Sequence, residues 1–216
     1  MLTDHHSALG GVASILGEYS PQCFHKPDRL ALVWEHGALT YKDLRNRALR
    51  LAASLRAMGL QSGDRIATLL YNRGETFQLY FACAFAGLTI VPVSFRLTAP
   101  EIASILNDCG PKVVFSEPEL APVLSAALPD LVAKPRVVML ETEASGAEFE
   151  NLATAPEPLR ERYMNDVQMI LYTSGTTGRP KGVAMRSQAV TWCAMQQVTQ
   201  FRHLDRDAVM MLNAPM

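Results

Sequence analysis

An α/β fold on a largely parallel sheet flanked by helices is predicted by two features of this sequence. Strand-like apolar runs and helical periods take turns from residue 65 to residue 140, the grammar of a parallel sheet with crossover helices. The most apolar stretch, Thr76 to Phe95, carries no charge at all, as elements covered on both faces require. With 216 residues, 49% of them hydrophobic, the chain has ample material for a core.

The elements follow in order. Residues 1–40 are expected to hold a leading helix and a small hairpin, whose strands Leu30 to Trp34 and Ala38 to Thr40 flank His36-Gly37. The next helix, Tyr41 to Met58, has Leu44, Ala48, Leu51, Leu55 and Met58 stepping by four and three. Lys42, Arg45, Arg47, Arg50 and Arg56 occupy its other faces and read as the water-facing side. Thr40 and Asp43 resemble a capping box, and Gly59 is placed to end the helix.

A strand at Arg65 to Tyr71, a helix from Glu75 to about Gly87 and a strand at Thr89 to Val93 come next. Thr98, Pro100 and Glu101 open a helix with Ile102, Ile105, Leu106 and Cys109 on one face, stopped by Gly110-Pro111. A strand at Lys112 to Phe115, a helix near Glu119 to Ala127 and a strand at Arg136 to Leu140 complete the alternation over 41–140. From Glu141 to Asp166 the composition turns to acid, Ala and Pro without a sustained period, which reads as a surface excursion within one α/β unit. Strand grammar resumes at Val167 to Tyr172, and residues 167–216 read as strand, loop, helix and strand.

Composition narrows the function classes. The 20 basic and 21 acidic residues nearly cancel, so no global field would recruit nucleic acid or an anionic membrane surface. Gly87, Pro92 and Gln78 break the uncharged stretch 76–95, which reads as a buried helix feeding a buried strand instead of a membrane span. Cys23, Cys83, Cys109 and Cys193 form no CxxC pair and the five histidines no metal-ligand cluster, so unpaired thiols in a reducing compartment are expected. The start, MLTDHHSALG, lacks the basic flank and apolar run of a secretory signal, and a cytoplasmic location is the expectation. His203, Trp34 and Trp192 read as a solvated loop residue and two packing residues.

The segment that carries chemistry is Leu171 to Val183, LYTSGTTGRPKGV, directly after a strand. Gly175 and Gly178 let the backbone take positive φ and approach an anion, so that successive N–H groups converge on its oxygens. Thr173, Ser174, Thr176 and Thr177 add hydroxyl donors, and Lys181 adds a point charge. The Walker spacing is absent, because Lys181 follows Pro180 and precedes Gly182. A glycine-rich turn requires neither this cluster of hydroxyls nor a lysine after proline, and a polyphosphate cradle is the better reading.

This loop resembles the signature of the adenylate-forming superfamily, which includes acyl-CoA synthetases, firefly luciferase and peptide-synthetase adenylation domains. Upstream, the helix beginning LTYKDL, the GD turn at Gly63-Asp64 and the segment AGLTIVP resemble the same enzymes in the same order. The final LNAPM is similar to the start of a segment that in many acyl-CoA synthetases continues into an aromatic residue and a histidine. The resemblance implies an incomplete amino-terminal part of an acyl- or aryl-CoA ligase, acting on a carboxylic acid, ATP and coenzyme A with Mg²⁺. In such enzymes the acid attacks the α-phosphate, pyrophosphate leaves, and a thiol then displaces AMP. It further implies that Thr173, Ser174, Gly175, Thr176, Thr177, Gly178 and Lys181 hold the β- and γ-phosphates, with Lys181 catalytic; the metal ligands stay open between Thr173, Thr176 and residues elsewhere.

Many relatives have a histidine where this chain has Ser187, which leaves the acid undefined. The family's acidic magnesium ligand, ribose-binding aspartate and carboxy-terminal lysine have no counterpart in these 216 residues, so the chain alone is expected to lack activity and to self-associate through the cut face. An adenylation domain loading a carrier-protein thiol, a luciferase-type oxygenase and a non-catalytic phosphate-binding fragment stay open as alternatives.

Overall fold

The computed structural model describes residues 25–35, 37–140, 147–154, 156–159, 166–173, 180–200 and 211. The expected leading helix, Cys23, His203 and the last expected strand lie outside them. Strands β1 (Leu30–Trp34) and β2 (Gly37–Thr40) form the antiparallel hairpin. Helix α1 (Tyr41–Ala57) follows directly, with the Thr40 hydroxyl oxygen accepting the Asp43 N–H. The six-stranded sheet contains β3 (Arg65–Leu69), β4 (Thr89–Pro92), β5 (Val113–Ser116), β6 (Arg136–Met139), β7 (Val167–Thr173) and β8 (Lys181–Arg186). Their order is β6-β5-β3-β4-β7-β8; all neighbours run parallel except β8, which is antiparallel to β7 and forms one edge.

Helices α2 (Gly74–Ala86) and α3 (Ala99–Cys109) carry the chain between the central strands, and α4 (Ala121–Ala127) follows a short 3₁₀ turn, Pro118–Leu120. Because side chains alternate along a strand, the sheet builds two cores. Ile66, Ile90, Val113, Phe115 and Val138 meet α1 and α2 on one face. Ala67, Leu69, Val91, Val93 and Val114 meet α3 and α4 on the other. The stretch 76–95 resolves into α2, a left-handed turn at Gly87 (φ 68°) and β4, and among the described residues no helix is long and apolar enough to cross a membrane.

Helix caps follow the sequence closely. At α3 the Thr98 hydroxyl and the Glu101 carboxylate form a complete capping box, which holds the Glu101 carboxyl below the usual carboxylate range. Arg65, at the start of β3, donates to the carbonyls of Cys109 (2.7 Å) and Gly110 (3.1 Å) and so closes the far end of the same helix.

Two readings are corrected. The supposed surface excursion contains α5 (Ala147–Thr154), whose Phe149 and Ala153 are buried against the α1 face of the sheet. The arginines of α1 are not all water-facing, because the Arg47 guanidinium donates to Gln78 and to Glu150 of α5, and Arg50 donates to the carbonyls of Thr154 and Pro156. Ser54 completes the seam by donating to the Leu152 carbonyl at 2.8 Å. Trp34 packs as expected, its indole filling the space where a Cβ at Gly74 would lie, 2.6 Å from the ring. Trp192 does not, being 62% exposed.

At the carboxyl edge of the sheet, buried Glu117 braces two loops. One oxygen accepts the Tyr71 N–H and the other lies 2.9 Å from Arg73, which also pairs with Glu75 at 3.1 Å. Glu117→Ala therefore orphans a backbone donor and half of a buried ion pair, and a loss of about 2–4 kcal/mol is expected in urea unfolding. A loss below about 1 kcal/mol would remove the brace from the stability of the fold.

Cys83, Cys109 and Cys193 are free thiols. Burial raises the pKa of Cys83, takes Cys109 to about 11 and, in α2, takes Tyr80 to about 12. Unfolded thiols ionise near pH ~8.5 and tyrosines near ~10, so the unfolded chain loses protons first. Stability is then full below those values and falls as pH rises through them. The urea midpoint is expected to hold level up to pH ~8 and to decline above pH ~9, with Cys83→Ala reducing the decline. A midpoint level to pH ~10.5 would contradict this account.

Candidate functional site

The β7–β8 hairpin grows out of the interior. At its start β7 is tied to buried β4 through the Ile90–Met169 register and a 2.7 Å hydrogen bond from the Thr89 hydroxyl to the Val167 carbonyl. Toward its carboxyl end β7 loses cover, and Leu171 and Thr173 are exposed. In parallel strands the carboxyl ends share one edge, the usual place for ligands in open α/β sheets. Tyr71, Phe95 and Glu117 follow β3, β4 and β5 at that edge, with the Tyr71 and Phe95 rings edge-to-face at 4.8 Å.

Of the expected phosphate-binding residues, the structure describes Thr173 and Lys181. They are direct antiparallel partners, Thr173 the last residue of β7 and Lys181 the first of β8. Directly opposed residues project to the same face, so a hydroxyl and an ammonium stand side by side at the mouth of the connecting segment. Both are exposed, and among the described residues Lys181 has no carboxylate partner. Ser174, Gly175, Thr176, Thr177 and Gly178 lie outside the described residues. A donor pair of this kind fits an anion. Among the described residues no group of three carboxylate, imidazole or thiol side chains gathers for a metal.

Sequence reasoning missed three things here. Between the loop and the expected helix lies a further strand, β8, and the helix, α6 (Ser187–Gln200), begins directly after it. Tyr172, on the face opposite Thr173, packs with the α3–α4 core and donates its hydroxyl to Asp108 at the carboxyl end of α3. Burial, followed by that hydrogen bond, raises the Tyr172 pKa well above the tyrosine range. Gly182, opposite Tyr172, is a seat for its ring: an added Cβ would come within 2.9 Å of Ile170 and 3.0 Å of the Tyr172 ring. The available signal was the strand alternation, which places Tyr172 on the other face from Thr173; its partner is too distant in sequence for any local pattern.

Comparison with known proteins agrees with this architecture. The family model described as AMP-binding enzyme matches residues 20–216. A fatty acid–[acyl-carrier-protein] ligase, ScoC, of Streptomyces coeruleorubidus is 39% identical over 74% of this chain and 30% of its own length. A feruloyl-CoA synthase of an Amycolatopsis species is 38% identical over 73% of this chain and 30% of its own length. The solved structure of a Mycobacterium tuberculosis fatty acyl CoA synthetase superposes with a TM-score of 0.69 at 32% identity, covering 85% of this chain and 37% of that one. The chain thus spans about a third of the relatives it matches. With the matched residues running from ahead of the β1–β2 hairpin through the β7–β8 hairpin to the last residue, this chain belongs to the AMP-binding enzyme family.

Proposed function

We propose that the protein carrying this segment is an ATP-dependent carboxylate–CoA ligase, and that the segment supplies its grip on the β- and γ-phosphates. The observation that carries the reading is the pairing of Thr173 with Lys181, both exposed, at the carboxyl edge of the sheet. Ser174, Gly175, Thr176, Thr177 and Gly178 belong to the same grip by their place in the motif.

In the proposed first step a carboxylate oxygen of the acid attacks the α-phosphorus of ATP, and the bond to the β-phosphate breaks. Pyrophosphate leaves with increased negative charge, which Lys181 and its strand partner Thr173 would stabilise as it develops. In the second step the coenzyme A thiol attacks the acyl carbon of the acyl-adenylate, and AMP leaves. Magnesium, held by the polyphosphate and any hydroxyl from this loop, would neutralise charge on the departing oxygens. The chain spans about a third of its relatives' length, and the grip accounts for one part of the proposed chemistry.

The match to an acyl-carrier-protein ligase favours a second reading, in which the accepting thiol sits on a carrier protein. Supplying either coenzyme A or a phosphopantetheinylated carrier to the preformed acyl-adenylate distinguishes the two. A cytoplasmic location is supported by the free thiols. Self-association is supported by the exposed pair Leu171 (37%) and Val183 (48%), neighbours in register on one face of the hairpin.

Lys181→Ala in the catalytically complete protein is expected to lower acid-dependent ATP–pyrophosphate exchange by about 10²-fold, the scale of removing one transition-state donor. An unchanged exchange rate would take Lys181 out of the mechanism.

A further inference from the structure

We propose that Tyr172 is a positioning residue for the phosphate grip, acting through a bond to Asp108 and a seat on Gly182; the inference rests on the reading of Thr173 and Lys181 given above. Tyr172 precedes Thr173, and its partner Gly182 follows Lys181. The two residues nearest the phosphate donors on each strand are therefore a tyrosine and a glycine in contact with each other. Strand alternation sends Tyr172 to the α3 face while Thr173 and Lys181 project to the opposite one.

On the α3 face the Tyr172 hydroxyl meets a fixed post. It donates to the Asp108 carboxylate. The post is fixed because Arg65 holds the carbonyls of Cys109 and Gly110, and because Ile102, Ile105 and Leu106 of α3 are buried in the core. Among the described residues the hairpin has few other ties at this level. Residues 181–184 of the edge strand are exposed, and the ladder between β4 and β7 is anchored three residues earlier, at Met169. A charge-assisted bond from Tyr172 to α3 thus fixes the far half of β7, and with it the spacing and height of Thr173 and Lys181.

Gly182 has a matching part. The tyrosine ring occupies the space that a side chain would need, so Gly182→Ala pushes against Ile170 Cγ2 at 2.9 Å and against the ring itself. The ring then leaves its line to Asp108, although every hydrogen-bonding group is still present.

The test uses Tyr172→Phe, Asp108→Ala and their combination in the catalytically complete protein, with ATP–pyrophosphate exchange as the readout. Each single change is expected to raise the KM for ATP roughly tenfold, leave the KM for the acid unchanged and shift kcat less, since the ring and its packing survive. The double variant should be no worse than either single one, because both remove the same bond. A loss of folded protein alone would lower the apparent kcat and leave the KM for ATP in place. An unaltered KM for ATP, or effects that add, would overturn the proposal.

Amide hydrogen exchange supplies an arm independent of nucleotide. In Tyr172→Phe the β7–β8 ladder from residue 171 to 183 is expected to exchange several-fold faster while the β3–β4 ladder does not change. Equal exchange in both proteins would remove the anchor altogether. Faster exchange in a protein whose wild-type form binds no polyphosphate would keep the anchor and discard the phosphate reading of Thr173 and Lys181.

Discussion

The attachment of β7 to β4 is the constraint on which the candidate site depends. β4 is enclosed, with Ile90 and Val91 removed from water on opposite faces of the sheet, and it lends β7 a firm start through the Ile90–Met169 register and the Thr89 hydroxyl. β7 is longer than β4, seven residues against four, so its carboxyl half runs on past its support. That excess length delivers Thr173 to the surface with a defined orientation. A strand fully paired on both sides would have buried it, and a free loop would have left its direction unset.

The exposure of Lys181 is consistent with its proposed task. A buried ammonium without a partner would lose its charge or demand a carboxylate, and either outcome would spoil an anion site. At an open edge Lys181 needs no carboxylate partner, and its attraction to a polyphosphate strengthens once the ligand excludes water. The brace of Arg73, Glu75 and Glu117 obeys the opposite rule. There the charges are enclosed and mutually satisfied, which suits holding the loops after β3 and β5 at the same edge.

Much of the fold was legible because local chemistry and packing agree. Thr98 and Glu101 announce α3, and Gly87 and Gly110 end helices in the left-handed conformation that glycine tolerates. α5 escaped because its buried positions are few, Phe149 and Ala153 set among acidic residues that face Arg47 and Arg136 instead of water alone. β8 escaped for a different reason: as an edge strand whose first four residues are all exposed, Lys181 to Ala184, it has no inside face to impose a period of two. In the candidate site, residue type and spacing single out Thr173 and Lys181 as candidates. Tyr172 and Asp108 were not legible, since their bond joins residues 64 positions apart and only the sheet order brings β7 within reach of α3.

In the proposed grip the two faces of the hairpin divide the work. On one face Thr173 and Lys181 need freedom from competing partners, and on the other Tyr172 needs a partner that does not move. A single strand meets both demands because successive side chains point in opposite directions, so an anchor one residue away from a ligand donor costs that donor nothing. The same geometry explains why Gly182 is where it is. Opposite Tyr172 and next to Lys181, any larger residue would set the anchoring ring against its neighbour, and the face that holds the hairpin would disturb the face proposed to bind.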